Sequence, residues 1–194
     1  PVTRVNGVTH VVSLPTGSGI AGKATLIDLW GYSPDSMAVL PEAGLHVAWP
    51  SSGRRGWWDS RSEKEIKEEY DKTIEMVNEY WAKARFYDEM MTEFEAESKG
   101  KEHPDKDLRM EAMRNVVNGE IPVIISVNGE KDILNALKWI EETGGTRFIL
   151  NGVREGWRVA DKIAEANIPV ITTTLYTPTR SYDNYQRPYQ NPGL

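Results

Sequence analysis

Three short apolar runs in the second half of the chain limit what it can fold into. They are Ile121-Pro-Val-Ile-Ile-Ser126, Thr146-Arg-Phe-Ile-Leu-Asn151 and Ile168-Pro-Val-Ile-Thr-Thr173. Branched, almost unbroken apolar runs of this length mark strands covered on both faces, as in a parallel sheet. A helical pattern follows each of the first two: Lys131–Thr143, with Ile133, Leu134, Leu137 and Ile140 on one face, and Glu155–Ala166, with Trp157, Val159, Ala160 and Ile163. Alternation of this kind predicts consecutive βα units of an α/β sheet or barrel. Chemistry in such folds sits at the carboxyl ends of the strands. Ser126 and Asn151 stand at those ends and are the first candidates for a site.

The 194 residues carry 29 acidic against 23 basic side chains, a formal charge of −6. An acidic chain lacks the basic stripe that phosphate binding requires, so nucleic acid is not the expected partner. No apolar run approaches the roughly 20 residues of a membrane span. There is no cysteine, which removes disulfides, thiolate metal sites and cysteine nucleophiles. Seven Trp and eight Tyr are many for this length and are read as packing between helices and loops. The chain begins at Pro1 within what looks like structured sequence, and is expected to be a piece of something longer.

Residues 1–59 read as strand and loop, with strands expected at Gly7–Leu14, Ala24–Trp30 and Gly44–Trp49. Residues 60–118 form a helical segment. There Ile66, Tyr70, Thr73, Val77, Tyr80, Ala84, Tyr87, Met91 and Phe94 recur at steps of three and four, the spacing of one apolar seam. Asp59 or Ser60 is expected to cap that helix and Asp105 a shorter one ending near Asn118-Gly119. Residues 119–176 hold the βαβαβ rhythm, and 177–194 read as an irregular tail. One domain is expected.

Gly17-Ser-Gly-Ile-Ala-Gly-Lys23 fits the first seven positions of the phosphate loop G-x-x-x-x-G-K-[ST]. The next residue is Ala24, which has no hydroxyl for magnesium, so a glycine-rich structural turn is the expectation. His10 and His46 both fall in strand candidates and would meet if their strands were neighbours. A metal site needs three or four convergent ligands, so packed histidines are expected instead. No G-x-S-x-G elbow marks a nucleophilic serine.

Asn6-Gly-Val-Thr-His-Val-Val, the Gly17–Gly22 stretch, Gly119-Glu-Ile-Pro-Val-Ile-Ile-Ser-Val, Asp132-Ile-Leu-Asn-Ala-Leu and Ile149-Leu-Asn-Gly-Val-Arg-Glu-Gly-Trp-Arg-Val-Ala-Asp resemble the amidohydrolase superfamily, and within it the imidazolonepropionase-like branch. The resemblance implies a (β/α)8 barrel with one or two divalent metals at its carboxyl face. There the metal would activate water to hydrolyse cyclic amides, peptides and related C–N bonds. The expected fold is therefore a partial (β/α)8 TIM-barrel-like domain lacking its first and last strands, with a long helical insertion. A complete barrel takes about 250 residues.

The family's fifth-strand and sixth-strand His ligands fall on Ser126 and Asn151. Its H-x-H pair and last-strand Asp have no counterpart in this sequence. A hydroxyl and a neutral carboxamide are poor substitutes for imidazole on zinc. The resemblance thus implies a degenerate domain without its metal centre, catalytically inactive, with a structural or regulatory role beside an active domain or subunit. No resident cofactor is expected. His46, His10, Asn128, Arg154 and Glu155 are the pocket candidates. The alternatives are a metal-dependent C–N hydrolase, with zinc or another divalent metal, whose missing ligands come from outside this segment, and a non-catalytic small-ligand or sugar-binding domain using Trp57, Trp58 and the Tyr-rich tail. The open edges of a partial barrel predict pairing with the rest of a longer polypeptide or a homo-oligomer. The compartment stays open, although exported relatives of the paired type point to an extracytoplasmic setting.

Overall fold

The computed structural model describes residues 2–54, 56, 58–97 and 103–172. Its centre is one mixed, curled sheet with the strands in sequence order. The elements are α1 (Val2–Val5), β1 (His10–Ser13), β2 (Gly19–Asp28), α2 (Pro34–Met37), β3 (Ala38–Ala48), α3 (Glu63–Ala96), α4 (Leu108–Glu111), α5 (Arg114–Val117), β4 (Val123–Val127), α6 (Glu130–Thr143), β5 (Phe148–Gly152), α7 (Ala160–Ala166) and β6 (Val170–Thr172). A turn of 3₁₀ helix at Gly156–Arg158 precedes α7.

β1, β2 and β3 form an antiparallel meander, whereas β3, β4, β5 and β6 are parallel. A uniformly parallel βα barrel is therefore not what the first third of the chain builds. Parallel neighbours need a crossover connection of a dozen or more residues. The segment between β3 and β4, expected as an insertion, is that crossover, lengthened by the 34 residues of α3.

Strand register sorts the side chains onto two faces. Leu45 and Val47 of β3, Val123, Ile125 and Val127 of β4, and Phe148 and Leu150 of β5 belong to the core and are at most 7% exposed. α3 supplies Val77, Trp81, Ala84, Tyr87 and Met91 to the same core, and α6 supplies Ile133, Ala136, Trp139 and Ile140. Trp139 meets Trp49, Trp81 and Phe148 edge-on, with ring centroids 5.5 to 5.8 Å apart. Its Nε1 donates to Asn78 Oδ1 at 2.8 Å. Asn135 donates to the Tyr70 hydroxyl at 2.9 Å and Arg85 to the Gly144 carbonyl at 3.0 Å. These contacts lay α3 alongside α6 in the same direction, over one face of the sheet.

Local chemistry moved three expected boundaries. α3 is capped by Ser62, not Asp59 or Ser60. The Ser62 hydroxyl accepts from Glu65 N at 3.3 Å while the Glu65 carboxylate accepts from Ser62 N at 2.7 Å, a reciprocal capping box. Asp59 is engaged instead by Arg61, whose Nε and Nη2 donate to its carboxylate at 2.8 and 2.6 Å. Asp107, not Asp105, caps α4 through Arg109 N at 2.9 Å. Gly19–Lys23 is extended strand within β2 rather than the expected glycine-rich structural turn, and Lys23 donates to Glu42 Oε1 at 2.6 Å. The tail, 177–194, lies outside the described residues.

Candidate functional site

The sheet face turned away from the core carries the polar strand ends. Directly paired residues on parallel strands share a face, and successive residues alternate. His46 is opposite Ile124, Ser126 opposite Asn151, and Asn151 opposite Ile171. His46, Ile124, Ser126, Ile149, Asn151 and Ile171 therefore share the face that does not receive α3 and α6. His46 stands one step down β3 from the carboxyl end, between the core residues Leu45 and Val47, so the strand's own alternation forces its ring onto this side.

Three side chains close a network there. His46 Nε2 lies 2.8 Å from Ser126 Oγ, and Asn151 Nδ2 donates to the same oxygen at 2.8 Å. His46 Nδ1 lies 2.7 Å from the Pro15 carbonyl oxygen. A carbonyl only accepts, so Nδ1 carries the proton. In the neutral ring Nε2 is then the acceptor, and Ser126 Oγ–H is its donor. The order of donation is Asn151 to Ser126 to His46 to Pro15. His46 is 7% exposed, whereas Ser126 and Asn151 are half-buried.

This donor set does not fit a divalent metal. A zinc centre takes three or four convergent nitrogen, sulfur or charged oxygen ligands. Here one imidazole has both nitrogens engaged, and its neighbours are a hydroxyl and a neutral carboxamide. Among the described residues no three His, Asp or Glu side chains converge.

The remaining pocket candidates lie elsewhere. His10 is opposite Asp28 and His46 opposite Gly22, near different ends of β2. β2 runs between β1 and β3, so the two histidines are kept apart; His10 is exposed and bonded to Thr9. Asn128, Arg154 and Glu155 belong to the rim of loops after β4 and β5. Glu155 accepts from Glu130 N at 2.9 Å and so satisfies the first turn of α6, whose own cap residue, Gly129, has no side chain to do so. Glu155 N donates to Asn128 O at 3.0 Å. Asp132, 7% exposed, accepts from Ser52 N at 3.0 Å and ties in the loop after β3. Val153, fully buried, sits at φ +43° directly after β5, a rare conformation for a β-branched residue. The rim is thus a structural belt around the strand ends. Trp58 is exposed, and Trp57 and the Tyr-rich tail lie outside the described residues.

Sequence inspection missed Pro15, because a backbone carbonyl has no sequence signature. The signal for His46 was present: one polar residue at period two inside an apolar strand.

No family model matches the chain, and no curated protein matches it in sequence. The fold is similar to the crystal structure of an amidohydrolase from Thermotoga maritima MSB8, with a TM-score of 0.70 and 25% identity. The likeness covers 91% of this chain and 45% of that one. The chain therefore has an amidohydrolase-like α/β fold and spans a little under half the length of that structure. Among the described residues no helix is long and apolar enough to cross a membrane.

Proposed function

We propose that this chain is an amidohydrolase-like partial barrel that has exchanged its metal centre for a hydrogen-bonded Ser126–His46–Asn151 network and serves as a structural or regulatory part beside an active domain or subunit. The observation that carries this is the direction of the donors. His46, Ser126 and Asn151, at the ends of β3, β4 and β5, are each turned toward another protein atom. A metal would have to break two bonds at about 2.8 Å and gain only one good ligand. The imidazolonepropionase-like branch is the ancestry favoured by the sequence motifs around Ser126 and Asn151.

The edges of the sheet support association. β6 is three residues long, with Val170 and Ile171 exposed, and it ends the described sheet. Among the described residues the outer edge of β6 pairs with no further strand, and it is the surface that the remainder of a longer polypeptide, or a second copy, would cover.

Elemental mass spectrometry on the purified chain tests the loss of the metal. The expected result is no stoichiometric divalent metal after incubation with zinc and desalting. One zinc per chain, lost on Ser126→Ala or Asn151→Ala, would overturn the proposal.

A further inference from the structure

The network that excludes a metal has the geometry of an activated serine. We propose that Ser126 is a nucleophile able to accept an acyl group from an activated ester, with His46 as its general base. The inference goes beyond the loss of the metal and rests on it in one respect, that His46 Nε2 is free to take a proton rather than bind a cation.

Three features converge. First, the nucleophile and base are within hydrogen-bond reach, at 2.8 Å between Ser126 Oγ and His46 Nε2. Second, the base is oriented by a third group: the Pro15 carbonyl, 2.7 Å from Nδ1, fixes the tautomer that presents a lone pair to the hydroxyl. A neutral carbonyl stabilises an imidazolium less than a carboxylate does, so the pair is a dyad of modest power. Third, Asn151 Nδ2 already reaches Oγ at 2.8 Å, and a carboxamide nitrogen has a second N–H to offer. We assign that second N–H as the neutral donor to the negative charge that would develop on a carbonyl oxygen attacked by Oγ. The absence of a G-x-S-x-G elbow does not bear on this, because such constellations are recognised by geometry rather than by sequence position.

The chemistry balances with water as the only co-reactant. Ser126 Oγ adds to the ester carbonyl carbon as its proton passes to His46 Nε2. Collapse of the adduct breaks the bond to the leaving oxygen, which departs as an alcohol carrying that proton. Water then attacks the acyl-serine, returns a proton through His46 and releases the carboxylic acid. Ile149 and Ile171 lie on the same face next to Asn151, and Ile171 is 49% exposed. An apolar border of this kind favours a short aliphatic acyl group.

The test is to incubate the chain with p-nitrophenyl butyrate in the presence of a chelator, then to follow nitrophenolate release and locate the acyl group by peptide mass spectrometry. The expected result is a burst of one equivalent, with the acyl group on Ser126. Ser126→Ala should abolish the burst, and His46→Gln should slow acylation by about 100-fold or more. Unmodified Ser126 with no burst, or acylation confined to lysines, would overturn the proposal. The position of the label on the unsubstituted chain decides the matter even where a variant does not fold. Because the assay is run without metal, its failure leaves the metal measurement untouched, and a stoichiometric zinc would not itself explain a labelled serine.

Discussion

The His46 ring on β3 reaches across to β4 and lies 2.8 Å from the hydroxyl of Ser126, with Asn151 on β5 donating to the same oxygen. Three adjacent parallel strands are thus joined through side chains on the face opposite the core. Ser126→Ala removes the shared partner of both neighbours and leaves the buried His46 Nε2 without one. An unsatisfied buried polar group costs about 1–3 kcal/mol. The stability of Ser126→Ala should fall by that amount in urea unfolding, and Ser126→Thr, which keeps the hydroxyl, should lose less.

Gly44, two residues before His46, is required by close packing rather than by its backbone angle. A Cβ there would lie 2.9 Å from Ile124 Cδ1 and 3.0 Å from the Pro122 carbonyl oxygen. The side chain can rotate, but the carbonyl, just before β4, accepts from Leu45 N at 2.8 Å and cannot move freely. Gly44→Ala should destabilise the chain by about 1–3 kcal/mol, the usual cost of overpacking. Thermal denaturation reads it directly.

The long crossover helix depends on its first turn. Ser62→Ala breaks the capping box with Glu65 and leaves an amide of that turn without its acceptor. The expected loss is about 1 kcal/mol, visible as a lower urea midpoint with an unchanged slope. Ser62→Asp should restore most of it.

Two carboxylates make the fold sensitive to acid. Arg114, donating to Glu95 Oε1 at 2.7 Å and Oε2 at 3.1 Å, holds the Glu95 carboxyl below its ordinary value of 4.5. The Ser62 backbone N–H, then its hydroxyl, lower Glu65 in the same sense. In each case the unfolded chain binds a proton more readily than the folded one. Stability from these groups is therefore complete above the ordinary carboxylate range and is lost as the pH falls through their depressed values. Urea midpoints should drop as the pH goes below about 4.5, and the drop should shrink in Glu95→Gln and Glu65→Gln.

Much of this architecture was legible in the sequence because it follows from periodicity. The runs that became β4, β5 and β6 and the amphipathic pattern of α6 lie within a few residues of the observed elements. Of the nine seam positions of α3, Ile66, Thr73, Val77, Ala84, Tyr87 and Met91 are buried and Tyr70, Tyr80 and Phe94 half-buried; Trp81 joins the buried set because an aromatic at that turn reaches Trp139 on α6. The antiparallel meander was harder to see. Gly17, Gly19 and Gly22 have the composition of a turn, yet strand pairing with β3 extends Gly19–Lys23, and Gly22 adopts a φ of +135° that only glycine tolerates well. At the site, Ser126 and Asn151 were found from their place at strand ends. Their link to His46 needed the register of β3 against β4, which periodicity alone does not supply.

The central claim is that His46 belongs to a closed hydrogen-bonded network and is not a metal ligand. A long-range proton–nitrogen NMR spectrum of the imidazole rings, recorded in mildly alkaline solution before and after one equivalent of zinc, tests it most directly. The His46 ring should be protonated on Nδ1 and bare on Nε2, with both nitrogen shifts unchanged by the metal. A His46 Nε2 resonance that moves in proportion to added zinc, and is restored by a chelator, would contradict it.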